Sequence, residues 1–286
     1  MIVPIRRFGA GLALVACVAL GATAATARPQ TPPSVTRAAY TAAVAAGVAK
    51  GTEIVPGLGQ VTGALRNLVL LGVGFELATQ GALNLTKLGP PSDGRLQMSL
   101  ANFNPAAARA KLLLFRLSHR IPARVKLIHF SFTLTANAVK TAVKFCAPGS
   151  YATTAFFDLR SPHVALPIWR PAPPNGWEIG VKNLDPNNPV RKLTFWLNCV
   201  SGLKVMYLAG DPVETPGSVG GKPSRGTATG KPCPTGYTLG GGGFKTAAGV
   251  EVTSFLRDRR PKPKAELLVY VTPRVVSEIS SVCVGD

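Results

Sequence analysis

Apolar and polar side chains alternate most clearly in the second half of the chain. "WEIGVKN" (177–183) and "AELLVYV" (265–271) change character almost residue by residue, the period of a half-buried strand. "RVKLIHFSFTLTA" (124–136) reads the same way, as one or two strands with a register break near Ile128 and His129.

The first third follows a different pattern. "VTRAAYTAAVAAGVAK" (35–50) is Ala-rich, with Ser34 as a helix cap and Gly51 as its stop. After the Pro56-Gly57 turn, a second apolar run extends from about Gln60 to Lys87. Arg66, Glu76, Gln80, Asn84 and Lys87 fall mostly on one stripe of a helical projection. Residues 28–94 are therefore expected to form a helical hairpin. "NPAAARAKLLLFRLSHRIP" (104–122) has Asn104 as a cap, Pro105 at the first helical position and Pro122 as a stop. A helix is the favoured reading there, with a strand pair as the alternative.

The start of the chain carries a targeting pattern. "MIVPIRR" is basic, "FGAGLALVACVALGA" is apolar, and "ATA" (25–27) fits a small-residue cleavage site. Residues 1–27 read as a secretory signal peptide cleaved near Ala27. Lipidation at Cys17, within "LVAC", is the second reading, and Arg6-Arg7 hints at a twin-arginine signal.

Export changes the meaning of the cysteines. Of five, four remain beyond the leader: Cys146, Cys199, Cys233 and Cys283. None forms a C-x-x-C pair, so no metal site is expected, and an even number in an oxidising compartment points to disulfides. The similar spacings of Cys146 to Cys199 and Cys233 to Cys283 select that pairing. The surrounding text repeats as well. "CAPGSY" and "CPTGYT" open the two stretches, and "LTFWLNCV" and "EISSVCV" close them. The expectation is two copies of one β module, 146–200 and 233–286, each clasped by its own bridge. Each bridge would contribute about 4 kcal/mol by restricting the unfolded chain.

"CPTGYTLGGGGF", followed by "VEVTSF", "LLVYV" and "SVCV", resembles a domain of secreted actinobacterial proteins. Its pattern is Cys-Pro-x-Gly, a Gly-Gly-Gly segment and a closing strand that ends in Cys. The resemblance implies a small β fold and an extracellular life, and brings no activity or site residues with it. No Lys-Ser/Thr or helix follows Gly240–Gly243, so the run is not a phosphate loop. Strand glycines at a bulge or a close backbone approach fit better.

The expected class is thus α+β: a helical hairpin (28–94), a basic middle region (95–145), β module 1, a Gly/Ser/Thr/Pro-rich connector (201–232) and β module 2, the modules being small, antiparallel and sandwich-like.

Net charge is +19, or +17 once Arg6 and Arg7 leave with the leader. Residues 95–145 hold nine Lys or Arg and no acid. Arg109, Lys111, Arg116, Arg120, Arg124 and Lys126 form the first candidate polyanion cluster. Arg257, Arg259, Arg260, Lys262 and Lys264 form the second. Anionic envelope polymers or lipid surfaces are the expected partners, with simple solubility as the bland alternative. No aromatic interleave marks a sequence-specific nucleic-acid reader.

Chemistry is not indicated. His119, His129 and His163 show no metal spacing, and no G-x-S-x-G elbow is present. No catalytic residue, metal or cofactor is expected. The leading expectation is a non-enzymatic secreted or envelope binding protein. A membrane-active protein using its N-terminal apolar helices comes second, and an unrecognised extracellular hydrolase third.

Overall fold

The computed structural model describes residues 33–50, 53–65, 68–77, 83–90, 92, 94–117, 122–256, 262–269 and 274–285. The expected signal peptide (1–27) and Cys17 lie outside the described residues. Among those residues there is no helix, and the protein is all-β.

The strands fall into three similar sets. The first is β1 (Val35–Val44), the short β2 (Val48–Lys50) and β3 (Glu53–Val55), β4 (Gly57–Ala64), β5 (Val69–Leu77), β6 (Leu83–Leu88), β7 (Arg95–Asn102) and β8 (Ala108–Leu117). The second is β9 (Arg124–Leu134), β10 (Val139–Phe145), β11 (Ser150–Asp158), β12 (Val164–Ala172), β13 (Gly176–Asn183) and β14 (Val190–Ser201). The third is β15 (Lys204–Ala209), the short β16 (Val213–Thr215), β17 (Ser224–Thr229), β18 (Thr238–Lys245), β19 (Val250–Phe255), β20 (Lys264–Val269) and β21 (Val275–Gly285).

Their antiparallel pairings make three sheets of one plan. The first runs β1-β8-β5-β19-β20-β17, the second β9-β14-β11-β6-β7-β4, and the third β15-β21-β18-β12-β13-β10 with β16 on β21. Each repeat therefore splits into two halves. In the second repeat, β9 and β11 flank β14 in one sheet, while β12 and β10 flank β13 in the next. Every half joins a half from another repeat, through β5–β19, β11–β6 and β18–β12. The result is a cyclic exchange with pseudo-threefold order.

The registers repeat in detail. A one-residue bulge sits at the same place in the three central strands: between Leu70 and Gly72, Ala152 and Thr154, and Leu239 and Gly241. Three residues past each bulge stands a phenylalanine, Phe75, Phe157 and Phe244. Each pairs across a sheet joint, with Phe255, Leu88 and Trp169 respectively. All six are buried. Trp169 lies 5.7 Å from Phe244 and 5.8 Å from Phe255, ring centre to ring centre. This cluster ties all three sheets together, and each tilted or edge-on aromatic pair adds about 0.5–1.5 kcal/mol beyond burial.

The expected N-terminal helical hairpin is overturned: the described residues between 35 and 88 form β1 to β6. "VLLGVGFEL" (69–77) is β5, buried over most of its length. A strand covered on both faces is apolar at nearly every position and mimics a buried helix in periodicity. Gly72 and Gly74 give the distinction. A Cβ on Gly72 would lie 2.4 Å from the Gly240 carbonyl oxygen, and one on Gly74 2.6 Å from that of Phe255. Only a bare backbone fits there. The helix favoured within 104–122 is likewise corrected to β8, a strand flanked on both edges by β1 and β5.

Both expected disulfides are present, Cys146–Cys199 and Cys233–Cys283. The stretches they enclose are not separate sandwiches, because β12 pairs with β18 and β19 with β5. The stretch 201–232, read as a connector, carries β15, β16 and β17. The four glycines lie on bulged β18, where a Cβ on Gly243 would meet Arg170 Cα at 2.4 Å.

Candidate functional site

The second strand of each six-strand plan shows where the repeats diverge. β4, β10 and β17 pair with β7, β13 and β20 in matching register. Their alternate positions are therefore equivalent: Gly59, Val61 and Gly63; Lys140, Ala142 and Lys144; Gly226, Ala228 and Gly230. In the first repeat these side chains are absent or small, and β4 packs flat against β1. A Cβ on Gly63 would press on the Tyr40 ring at 2.9 Å, and one on Gly59 on Val44 at 2.5 Å.

The second repeat places lysines at both glycine positions. Lys144 Nζ lies 5.7 Å from the centre of the Phe130 ring, and Lys140 Nζ lies 4.9 Å from that of Phe132. Phe130 occupies the register position of Tyr40. The same contact that closes the first repeat thus becomes a cation over an aromatic face in the second. Phe130 and Phe132 stack on buried Phe195 at 5.4 and 5.1 Å, which fixes their rings.

β9 and β10 are also edge strands of two different sheets. Nearly every residue of β10 is exposed, with Val139 at 66% and Phe145 at 51%. The first four residues of β9 are exposed too, including Val125 and Leu127. Arg124, Lys126, Lys140 and Lys144 stand on these strands, and neither strand carries an acid. The surface is a cleft of two half-buried phenylalanines and two lysines, edged by exposed aliphatic and basic residues.

The structure scatters the first expected polyanion cluster. Arg124 and Lys126 join the cleft strand β9. Arg109 is exposed on β8, a strand of a different sheet. Lys111 pairs with Glu76 at 3.6 Å, and Arg116 is half-buried, donating to the Ala64 carbonyl. Within the second cluster, Lys262 is exposed and Lys264 reaches Glu266 at 4.0 Å. Arg120, Arg257, Arg259 and Arg260 lie outside the described residues. Lys140 and Lys144 were missing from both expected clusters. Their signal was in the sequence as two lysines four apart, where the aligned strand has two glycines, but the alignment needs the register.

Nothing among the described residues gathers three or more His, Cys, Asp or Glu side chains as a metal site would. His129 lies beside Trp196, and His163 lies beside Phe103 in a different loop. No family model matches the chain, and no curated protein matches it.

Proposed function

We propose that this chain is a non-enzymatic extracellular or envelope binding protein that holds an anionic polymer along the cleft between β9 and β10. One observation carries the reading: Lys140 and Lys144 take the places of the glycines that close the first repeat, and both project over phenylalanine rings. Polymers with regularly spaced phosphate or carboxylate groups meet two cations on one strand, with Arg124 and Lys126 on the facing one. Sugar rings in such a polymer find the Phe130 and Phe132 faces beside those cations. The excess of positive charge across the chain draws polyanions towards the cleft from a distance.

Two disulfides, the leader-like residues 1–27 and the resemblance to secreted actinobacterial domains support an extracellular site of action. An anionic bilayer is the second reading, favoured by the exposed Val139, Val143 and Phe145 on β10.

Co-sedimentation of residues 28–286 with a teichoic-acid-type phosphate polymer and with anionic vesicles, over a salt series, tests both. Charge-driven binding to the polymer fades steeply with salt. Lys140→Gln with Lys144→Gln should remove most of it, and Arg109→Gln should remove little. Equal loss in both variants would place the interaction in overall charge and abandon the cleft. Vesicle binding that survives high salt would favour the bilayer.

A further inference from the structure

The cyclic plan leaves an apolar cavity of about 330 Å³ where the three repeats meet. Leu83, Val164 and Val250 line it, and these are the first residues of β6, β12 and β19, three strands in equivalent positions. The phenylalanines of the central cluster, Phe75, Phe157 and Phe244, form part of its wall, and Asn84 and Glu251 are its polar members. No lysine or arginine lines it among the described residues. It reaches the surface at Leu184, which is 48% exposed.

From this geometry we infer that the cavity is a binding site for a neutral apolar ligand, an alkyl or aromatic group of modest size. Protein interiors are close-packed, and an open apolar volume of this size is unusual. Ligand pockets are typically lined mainly by apolar and aromatic side chains with a few polar groups, as this one is. At roughly 30 Å³ for each water-sized group, the space admits about ten non-hydrogen atoms. A carboxylate or phosphate would find no cation on these walls and would face Glu251, whereas an alkyl chain or small ring meets aliphatic and aromatic carbon over most of them, with Asn84 and Glu251 as the polar groups to receive a hydroxyl group. The inference is independent of the basic cleft, which lies between β9 and β10 and shares no residue with the cavity. Two sources share this chemistry, a free small apolar molecule and the end of a lipid acyl chain.

The test is titration of the full chain with n-decanol, read by calorimetry and by methyl chemical shifts of Leu83 and Val164. Saturable one-to-one binding that moves both methyl sets is the expected result. Val250→Phe and Leu166→Phe fill the cavity from two different strands. Each should weaken decanol binding by about tenfold or more. Unchanged affinity in either folded variant, or no saturable binding by the wild type up to the solubility limit, overturns the proposal. Should both variants fail to fold, the wild-type methyl shifts still decide: decanol that leaves Leu83 and Val164 unmoved binds elsewhere. Neutral phospholipid vesicles provide the second arm. Vesicles added without decanol that move the Leu83 and Val164 methyl shifts identify an acyl chain as the occupant, and unmoved shifts identify a free small molecule.

Discussion

The guanidinium of Arg116 donates to the carbonyl oxygen of Ala64 across 3.4 Å. Arg116 sits at the register position of Cys199 and Cys283 in the other repeats. Ala64 immediately precedes Leu65, whose backbone N–H donates to Gly94, just as that of Cys146 donates to Asn175. The first repeat thus closes with a charged hydrogen bond where the others close with sulfur.

A third disulfide should therefore form on demand. Leu65→Cys with Arg116→Cys recreates the Cys146–Cys199 arrangement and removes an Arg116 Nε that is buried without a partner. In residues 28–286, which lack Cys17, intact mass after thiol alkylation should show no free thiol. Thermal or urea unfolding should show a gain of up to about 4 kcal/mol, less any strain. Two thiols that stay alkylatable in the oxidised, folded protein would break the equivalence of the three repeats.

Cutting the chain at the exposed turn around Gly220 and Gly221 should not release a domain. The downstream strands β18 to β21 complete two sheets begun upstream. The nicked protein should elute as one species in gel filtration and give two bands on a denaturing, non-reducing gel, since each disulfide lies within one fragment. Separation under native conditions would mean that the last module stands alone.

Trp169 should be among the costliest side chains to truncate. It contacts Phe157, Trp177, Phe244 and Phe255, and its indole N–H donates to the Ala155 carbonyl at 2.9 Å. Trp169→Ala should lose about 3–5 kcal/mol in urea unfolding. A loss below about 1 kcal/mol would show that the aromatic cluster is not the shared core of the three sheets.

Alkaline pH should weaken the fold through Tyr207. Burial holds its hydroxyl well above the ordinary value of 10.0, and the hydroxyl donates its proton to the Ala152 carbonyl. The folded protein keeps a proton that the unfolded chain gives up. This contribution is therefore complete below pH 10.0 and is lost as pH rises from there through the higher folded value. Stability measured by urea unfolding should fall above that pH in the wild type and fall less in Tyr207→Phe. Identical slopes in the two proteins would refute the assignment.

What the sequence made legible follows from which signals are local. Cysteine spacing and flanking text carried the two disulfides. Alternation revealed β13, β20 and β9, the last of which has one face open along most of its length. Periodicity failed at β5 and β8, because strands with neighbours on both edges and cover on their faces show no polar phase. The first repeat was hidden for a related reason. Its text has Arg116 in place of cysteine, and the identities that mark it, Phe75, Phe157 and Phe244, are single residues spaced by loops of unequal length. The basic cleft depended on knowing that Lys144 answers to Gly63, which only strand pairing establishes.

The exchange of halves between repeats also sets a timetable. A ribosome delivers β5 long before β19, the strand that will lie against it. Until then, β5 has an open apolar edge of the kind that invites mispairing with other chains. The first sheet begun stays unfinished until β20 and the third until β21, so the nascent protein cannot mature repeat by repeat. Its assembly waits for one late closing event, and any helper that shields the growing chain has most to do at β5 and β8.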